Sequence, residues 1–463
     1  VVVAVAAAAA YMLVWGGGSP GQQAASTASG ASTSPAGAKG VVKADSLSAC
    51  SPPAVAVVYA EGQERLAEKM AELLAQQVKG DLPAGARFCV VPAGAAPGLR
   101  DARVLPLIVV DASNVSGRLA KTLLNTSIVD GWRPVRYDVD AVFAVQVAYH
   151  YRLKERPRYR YNASLVVVQG HLPLTRADVE AIKRDRAFLD LVEAVAATGI
   201  SNVTEVGPGD APLPRGTALP TLLYRSSQDL AEGVASLRSL GNGYYMLTSV
   251  DYSRVLLGRG YVEAREVPGK PPLALLSSRP SVGGGDVGIA VFEDFMCPYC
   301  ARLYNETMPY LLELAKQGKV RIYFLDLLIH ANVKQVVELH KLLDCYYAKT
   351  HNSTGYLDAV ERIYRLVWRD MNLIQSGKAN TNELINDLDK LYKELSKKLN
   401  ATTDCREAQS ALGLGDSLAK LYGITGTPGF IAWRNGTGFV VVTEGFRTKQ
   451  FFQKLVEELE AAR

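Results

Sequence analysis

The chain has 463 residues, 48% of them hydrophobic and 21% charged, with a formal net charge of +5. That length supports two or three domains with their own cores, and so weak a charge gives no case for nucleic-acid binding. Moderate Gly and Pro, with a mean hydropathy of +0.04, exclude collagen-like, mainly disordered and multi-span membrane classes.

Residues 1–18 open with VVVAVAAAAAYMLVW, a run without charge. It falls between the roughly 7–15 apolar residues of an export signal and the roughly 20 of a membrane span. It starts at Val without a preceding basic segment. Residues 19–45 are Gly/Ala/Ser/Thr-rich, with little capacity to pack. A buried core helix is the other reading of the apolar run, and the tether after it argues against that. Residues 1–18 are therefore expected to be a membrane anchor or signal segment, and 19–45 a flexible linker.

Eight Asn residues stand in N-x-S/T sequons: Asn114, Asn125, Asn162, Asn202, Asn305, Asn352, Asn400 and Asn435. The chain has 14 Asn in all, and average Ser/Thr usage would place roughly two of them in sequons. The expectation is a glycosylated protein, secreted or membrane-anchored, with its folded domains outside the cytoplasm and disulfides permitted.

Residues 46–270 are read as an α/β domain of unknown role. An apolar run at 54–60 precedes a helical stretch, 64–78, in which Leu66, Met70, Leu73 and Leu74 share a face. Strands are predicted at 88–93 and 105–113. Residues 141–168 read as a hairpin turning at Glu155-Arg156-Pro157, followed by a helix over 175–197. ALPTLLY (218–224) reads as a strand leading into a helix, SSQDLAEGVASLRSL. Tyr149, His150, Tyr151, Arg152, Lys154, Arg156, Arg158, Tyr159, Arg160 and Tyr161 interleave aromatics with positive charge. Such stretches can bind single strands or anionic surfaces, but the near-neutral chain favours the solvated face of a hairpin. Residues 271–286, within a Pro/Gly/Ser-rich stretch, are read as the linker to a second domain.

The chemistry lies beyond it. The strand VGIAVFEDF (287–295) runs into Met296-Cys297-Pro298-Tyr299-Cys300 and then a helix. Pro298 suits a first helical turn, and Cys297 at the helix N-terminus gains the dipole and free N–H groups that stabilise a thiolate. Cys300 is then in reach to resolve a mixed disulfide. The competing reading, half of a zinc site, lacks partner ligands at a related short spacing, so no metal and no cofactor are expected. Downstream come a strand at 320–328, a helical insertion at about 331–400, a helix at 405–422, and Ile424-Thr425-Gly426-Thr427-Pro428-Gly429. Two strands, 430–435 and 438–445, and a final helix follow.

From Asp294 to Cys300 the pattern is D-F-x-C-P-Y-C, and G-I-T-G-T-P precedes a strand. In these features residues 285–463 resemble the DsbA-like thiol:disulfide oxidoreductases of the thioredoxin superfamily. The resemblance implies a thioredoxin fold with a helical insertion and thiol–disulfide exchange on cysteine-containing polypeptides. It further implies Cys297 as attacking and Cys300 as resolving thiol. Thr427 and a cis Pro428, with Pro298 and Tyr299, would form the substrate-binding surface, where an extended segment adds as a strand. A membrane redox partner would reset the pair. Many relatives carry a buried carboxylate six residues before the first Cys, where this chain has Val291; Glu293 and Asp294 are near, and strand alternation predicts that only one of them points inward.

Pro220, within ALPTLLY (218–224) and just before its apolar run, is compatible with the second half of a thioredoxin fold, so 46–270 is either a plain α/β domain or a degenerate thioredoxin-like one. Six cysteines allow 15 pairings, and 50–89, 297–300 and 345–405 respect the domain limits. Cys345 and Cys405, a pair similar to structural cross-links in relatives, are read as a structural bridge, with an auxiliary redox pair as the alternative. Outside catalysis, the alternative function is a membrane-tethered, chaperone-like binding protein in which CPYC is a structural disulfide.

Overall fold

The computed structural model describes residues 41–50, 54–78, 81–111, 115–124, 131–248, 257 and 260–462. The predicted anchor, its tether through residue 40, and the sequons at Asn114 and Asn125 lie outside these. Among the described residues no helix is long and apolar enough to cross a membrane. Two compact units divide the chain: Val1–Val167, Asp178–Val206 and Leu222–Leu256 form the first, and Val168–Ala177, Gly207–Thr221 and Leu257–Arg463 the second.

The first sheet is built from β1 (Val41–Lys43), β2 (Ala54–Tyr59), β3 (Arg87–Pro92), β4 (Leu107–Asp111) and β5 (Trp132–Pro134), in the order β1-β3-β2-β4-β5. β2 runs parallel to β3 and antiparallel to β4. Its β-branched residues serve both faces, as a central strand requires. Val55 and Val57 pack on Leu66, Met70 and Leu74 of α1 (Glu64–Gln77). Ala56 and Val58 lie on the other face with Cys50, Cys89, Leu107 and Trp132, and Cys50 is bonded to Cys89.

The predicted hairpin over 141–168 is not there. Tyr137–His150 is a helix, α2, and only Asn162–Val168, β6, is a long strand. Valine at alternate positions suggested a strand, yet α2 buries Ala141, Val142, Ala144, Val145, Val147 and Ala148 on several sides. Tertiary burial outweighs intrinsic preference here. The basic and aromatic stretch is likewise not a plain solvated face. Tyr149 Oη and Arg156 Nε both donate to the buried Asp190 carboxylate at 2.8 Å, and the Arg156 guanidinium lies over the Tyr149 ring.

β6 belongs to a second sheet with β7 (Gly199–Val206), β8 (Thr221–Arg225), β9 (Leu237–Gly241) and β10 (Tyr244–Leu247), ordered β9-β10-β8-β6-β7. The single helix expected at 175–197 is two, α3 (Val179–Arg184) and α4 (Arg186–Ala196), with Asp178 and Asp185 as their N-caps. The helix expected after residue 225 is absent. Gly233 takes a left-handed φ of +66°, and a Cβ there would meet the Tyr137 ring at 2.8 Å. β9 and β10 then form a hairpin through Asn242-Gly243, both with positive φ.

The third sheet contains β11 (Arg265–Pro268), β12 (Ser281–Gly283), β13 (Val287–Glu293), β14 (Val320–Asp326), β15 (Gly429–Arg434) and β16 (Phe439–Glu444), ordered β11-β16-β15-β13-β14-β12. Residues 271–286 are therefore not a linker, and the first unit does not run unbroken to 270. β11 pairs with β16 and β12 with β14, both antiparallel. Pro-rich composition suggested a loop, but an edge strand tolerates Pro at its end, and Pro268 ends β11.

The helix after Cys300 is broken at Thr307 into α5 (Pro298–Glu306) and α6 (Met308–Lys316). The insertion is α7 (Lys334–Thr350), α8 (Ser353–Gln375) and α9 (Thr381–Leu399); α10 (Arg406–Tyr422) and α11 (Lys449–Ala461) complete the domain. Cys345 on α7 is bonded to Cys405, the N-cap of α10, at a sequence separation of 60. A loop of that length constrains the unfolded chain by roughly 4 kcal/mol in the chain-entropy model. Replacing both with Ala should lower the thermal midpoint while leaving exchange at Cys297 intact; lost exchange in a folded variant would favour the auxiliary redox pair.

One strand order recurs. β3-β2-β4-β5 and β14-β13-β15-β16 agree in order and direction, parallel for the first pair and antiparallel for the next two. The second sheet has the matching order β7-β6-β8-β10. A cis X-Pro bond precedes β4, β8 and β15 alike, at Leu105-Pro106, Leu219-Pro220 and Thr427-Pro428. Only the third sheet carries a Cys pair after its central strand.

Candidate active site

All seven residues of β13 are buried, and the strand ends at Glu293, opposite Asp326 of the parallel β14. A three-residue turn then leads into Cys297. Asp294 organises this turn: its Oδ1 accepts from Met296 N at 2.8 Å and its carbonyl from Cys297 N at 3.0 Å. Phe295 N donates to His340 Nε2 at 3.2 Å, and the two rings stack with centroids 3.8 Å apart. Because Nε2 accepts, Nδ1 carries the proton, and it donates to Asp326 Oδ1 at 2.6 Å. Asp326 also pairs with Arg279 at 2.6 Å, and Arg279 with Asp344 at 2.9 Å. Arg279, Asp326, His340 and Asp344 are all buried. Burial works against the Asp326 anion, but Arg279 and His340 outweigh it and hold its pKa low; Asp344, buried beside that anion, is pushed well up.

Cys297 is the N-cap of α5 and Pro298 its first residue, so the sulfur sits where helix N–H groups lack partners. Both cysteines are free thiols. Thr427 offers one group to each protonation state of Cys297. Its carbonyl accepts from the thiol at 3.2 Å, and its hydroxyl favours the thiolate. The Cys297 pKa is lowered to about 6, first by the Cys300 thiol as donor, against the opposing effect of burial, then by Thr427 and the N–H groups of Cys300 and Tyr299. Cys300 has no solvent exposure, and burial pushes its pKa well up.

A depressed folded-state pKa contributes stability that is complete above the unfolded-state pKa, roughly 8.5, and is lost as pH falls through about 6. Reduced wild type should therefore gain about 3 kcal/mol over Cys297→Ser between pH 5.5 and 8.5. Urea unfolding of both proteins under reducing conditions measures this; parallel pH profiles would contradict it.

The structure thus brings together Cys297, Cys300, Pro298, Thr427 and Pro428. Tyr299 points outward, 56% exposed. Cys50, Cys89, Cys345 and Cys405 form the two bridges away from this constellation. The expectation that only one of Glu293 and Asp294 faces inward fails, since both are buried. β13 ends at Glu293, so alternation does not extend to Asp294, which turns back as a cap. Neither Glu293 oxygen has a hydrogen-bond partner. The Tyr304 and Tyr364 hydroxyls lie close enough to favour its anion, but burial dominates and raises the carboxyl well above its usual range. Glu293 is also near enough for its charge to oppose a Cys300 thiolate.

Sequence reasoning missed His330, His340, Arg279 and Asp344. His330 and His340 touch the turn from distant segments, while Arg279 and Asp344 support it through Asp326 and each other, and no local spacing marks any of them. Among the described residues no group of three or more His, Cys, Asp or Glu is placed to hold a metal ion.

The strand order β14-β13-β15-β16, with the Cys pair at the end of β13 and the cis-Pro before β15, is that of a thioredoxin fold. Residues 285–441 match the thioredoxin family model. Similar solved structures include α-DsbA1 of Wolbachia pipientis, at 16% identity and a TM-score of 0.29, covering 40% of this chain and 92% of that one. A periplasmic thioredoxin-like protein from Salmonella enterica serovar Typhimurium is 19% identical, TM-score 0.30, covering 42% and 98%. The catalytic domain of Proteus mirabilis ScsC is 18% identical, TM-score 0.30, covering 41% and 94%. No curated protein matches the sequence. The C-terminal domain is a thioredoxin fold with a helical insertion, preceded by a separate α/β region.

Proposed function

We propose that the C-terminal domain catalyses thiol–disulfide exchange on cysteine-containing polypeptides outside the cytoplasm. The observation that carries this is the placement of the two thiols: Cys297 caps α5 against Thr427 of the cis Thr427-Pro428 bond, and Cys300 lies buried one turn inside, an arrangement that lowers the first pKa and raises the second. In oxidation, a substrate thiolate attacks Cys297 Sγ of the disulfide and expels Cys300, which takes up a proton. A second substrate thiolate attacks the substrate sulfur of the mixed disulfide and expels Cys297 as thiolate. The substrate loses two electrons and the pair gains them. In reduction the Cys297 thiolate attacks a substrate disulfide and expels one substrate thiolate; Cys300 then gives up its proton, closes on Cys297 Sγ and expels the other, so the substrate gains the two electrons that the pair loses. The protonated Glu293 carboxyl supplies a proton to Cys300 in one direction, and its carboxylate accepts it in the other. Thr427 and Pro428, with Pro298 and Tyr299, present the surface on which an extended substrate lies.

Equilibration with a glutathione series tests the reading. A pair that equilibrates near the potentials of redox enzymes supports it. A pair that stays oxidised throughout would instead make CPYC a structural disulfide in a chaperone-like binding protein. A redox partner, in the membrane by our reading, resets the pair after each cycle.

Two disulfides, and exposure of all six described sequon residues, Asn162, Asn202, Asn305, Asn352, Asn400 and Asn435, support a secreted or membrane-anchored protein. Mass spectrometry of native protein should find glycan on several of these Asn. Bare sequons in a cytoplasmic protein would overturn this placement.

A further inference from the structure

The motif C-P-Y-C carries no charge between its cysteines, and Tyr299 points to solvent. The motif itself thus supplies no cation to the Cys297 thiolate. β13 and β14 run parallel, so the chain leaving β14 emerges at the same sheet edge as residues 294–297. Leu327 N continues the pairing, donating to Glu293 O at 3.0 Å. Three residues on, His330 is fastened to the turn twice: its backbone N–H donates to Asp294 Oδ2 at 2.9 Å, and its ring Nδ1 lies 2.9 Å from Asp294 Oδ1. The same Asp294 Oδ1 holds Met296 N, and the Asp294 carbonyl holds Cys297 N. One carboxylate thus fixes both the imidazole and the turn that presents the sulfur. The His330 side chain stays 35% exposed, open to proton exchange with solvent.

We propose that His330, fastened through its backbone and its ring to the Asp294 carboxylate of the turn before Cys297, is the positioning residue that stabilises the Cys297 thiolate and tunes the pair toward the oxidising end. This rests on reading the pair as an exchange site. His330 is hydrogen-bonded to Asp294, from the turn after β13, and feels the charge of Cys297, at the start of α5, through space. Both favour its protonated form, the Asp294 hydrogen bond most and against some burial, so its pKa is raised. The ring of His340, from α7, is already committed to Phe295 N and Asp326. It is His330 that is free to carry the charge.

The experiment compares wild type with His330→Gln, which keeps a hydrogen-bonding side chain without charge, and His330→Lys, which restores a cation. Thiolate absorbance against pH gives the Cys297 pKa, and glutathione equilibration gives the potential. His330→Gln should raise that pKa by about one unit and weaken the pair as an oxidant about tenfold, which is about 30 mV for a two-electron couple. His330→Lys should recover most of the loss, which a merely structural role would not explain. Because coupling is reciprocal, the wild-type His330 ring should also titrate higher in the reduced protein than in the oxidised one by NMR, a measurement that needs no variant to fold. A wild-type pair that equilibrates normally, with unchanged pKa and potential in His330→Gln or a redox-independent ring, would overturn the role of His330 alone. A wild-type pair that never equilibrates would overturn the exchange function beneath it.

Discussion

Cys297→Ser is expected to reduce exchange on polypeptide disulfides by a thousandfold or more, the usual order of loss when a covalent nucleophile is removed. Cys300→Ser should behave differently. It keeps the activated sulfur, so it should be alkylated rapidly at mildly acidic pH and accumulate mixed disulfides that nothing resolves. The asymmetry follows from position. Cys297 caps α5 beside Thr427, while Cys300 lies one turn inside with no solvent exposure. Trapping is read by non-reducing electrophoresis with a disulfide-bonded substrate. If Cys297→Ser traps substrate instead, the roles are reversed.

Arg279→Met should cost about 3–5 kcal/mol of stability, the largest effect expected from any residue that does not touch the sulfurs. Arg279 is buried and pairs with both Asp326 and Asp344. Removing it leaves the Asp326 anion in the core without its cation, held only by the neutral hydrogen bonds of His340 and the Asp344 carboxyl. The damage should also reach the active site, because His340 holds Phe295 N. Denaturant unfolding of oxidised and reduced protein measures the loss. A change below about 1 kcal/mol, the range of exposed ion pairs, would show that water reaches the cluster. Arg279→Met with Asp326→Asn and Asp344→Leu should recover part of the loss, since burying neutral groups is cheaper than burying an unpaired charge.

What the sequence disclosed, and what it hid, divides along one physical line. The Cys pair, the helix that starts at Pro298, β13 and β15 were legible because each is a local pattern: a buried run, a Pro at a first turn, a spacing of three. The α2 helix was misread because its valines are buried on several sides, so neither period stands out. Residues 271–286 were misread because Pro and Gly suggest a loop, whereas β12 is fixed by pairing with β14. The absent helix after residue 225 was decided by Gly233 and by packing on Tyr137. His330 and His340 meet at the turn from two segments, with Arg279 behind them on Asp326 from a third, and no local spacing marks such a meeting. The recurrence of one strand order in all three sheets was hidden for the same reason, since pairing is non-local and only the third sheet has a Cys pair after its central strand.

The central claim is that the CPYC pair is activated through Cys297 alone. Alkylation rate of the reduced protein against pH tests it most directly, with each modified cysteine located by peptide mass. The account predicts one fast thiol, Cys297, with its midpoint near 6, and a Cys300 that remains unreactive through neutral pH. Two thiols of equal reactivity, both titrating near the ordinary value of about 8.5, would contradict it.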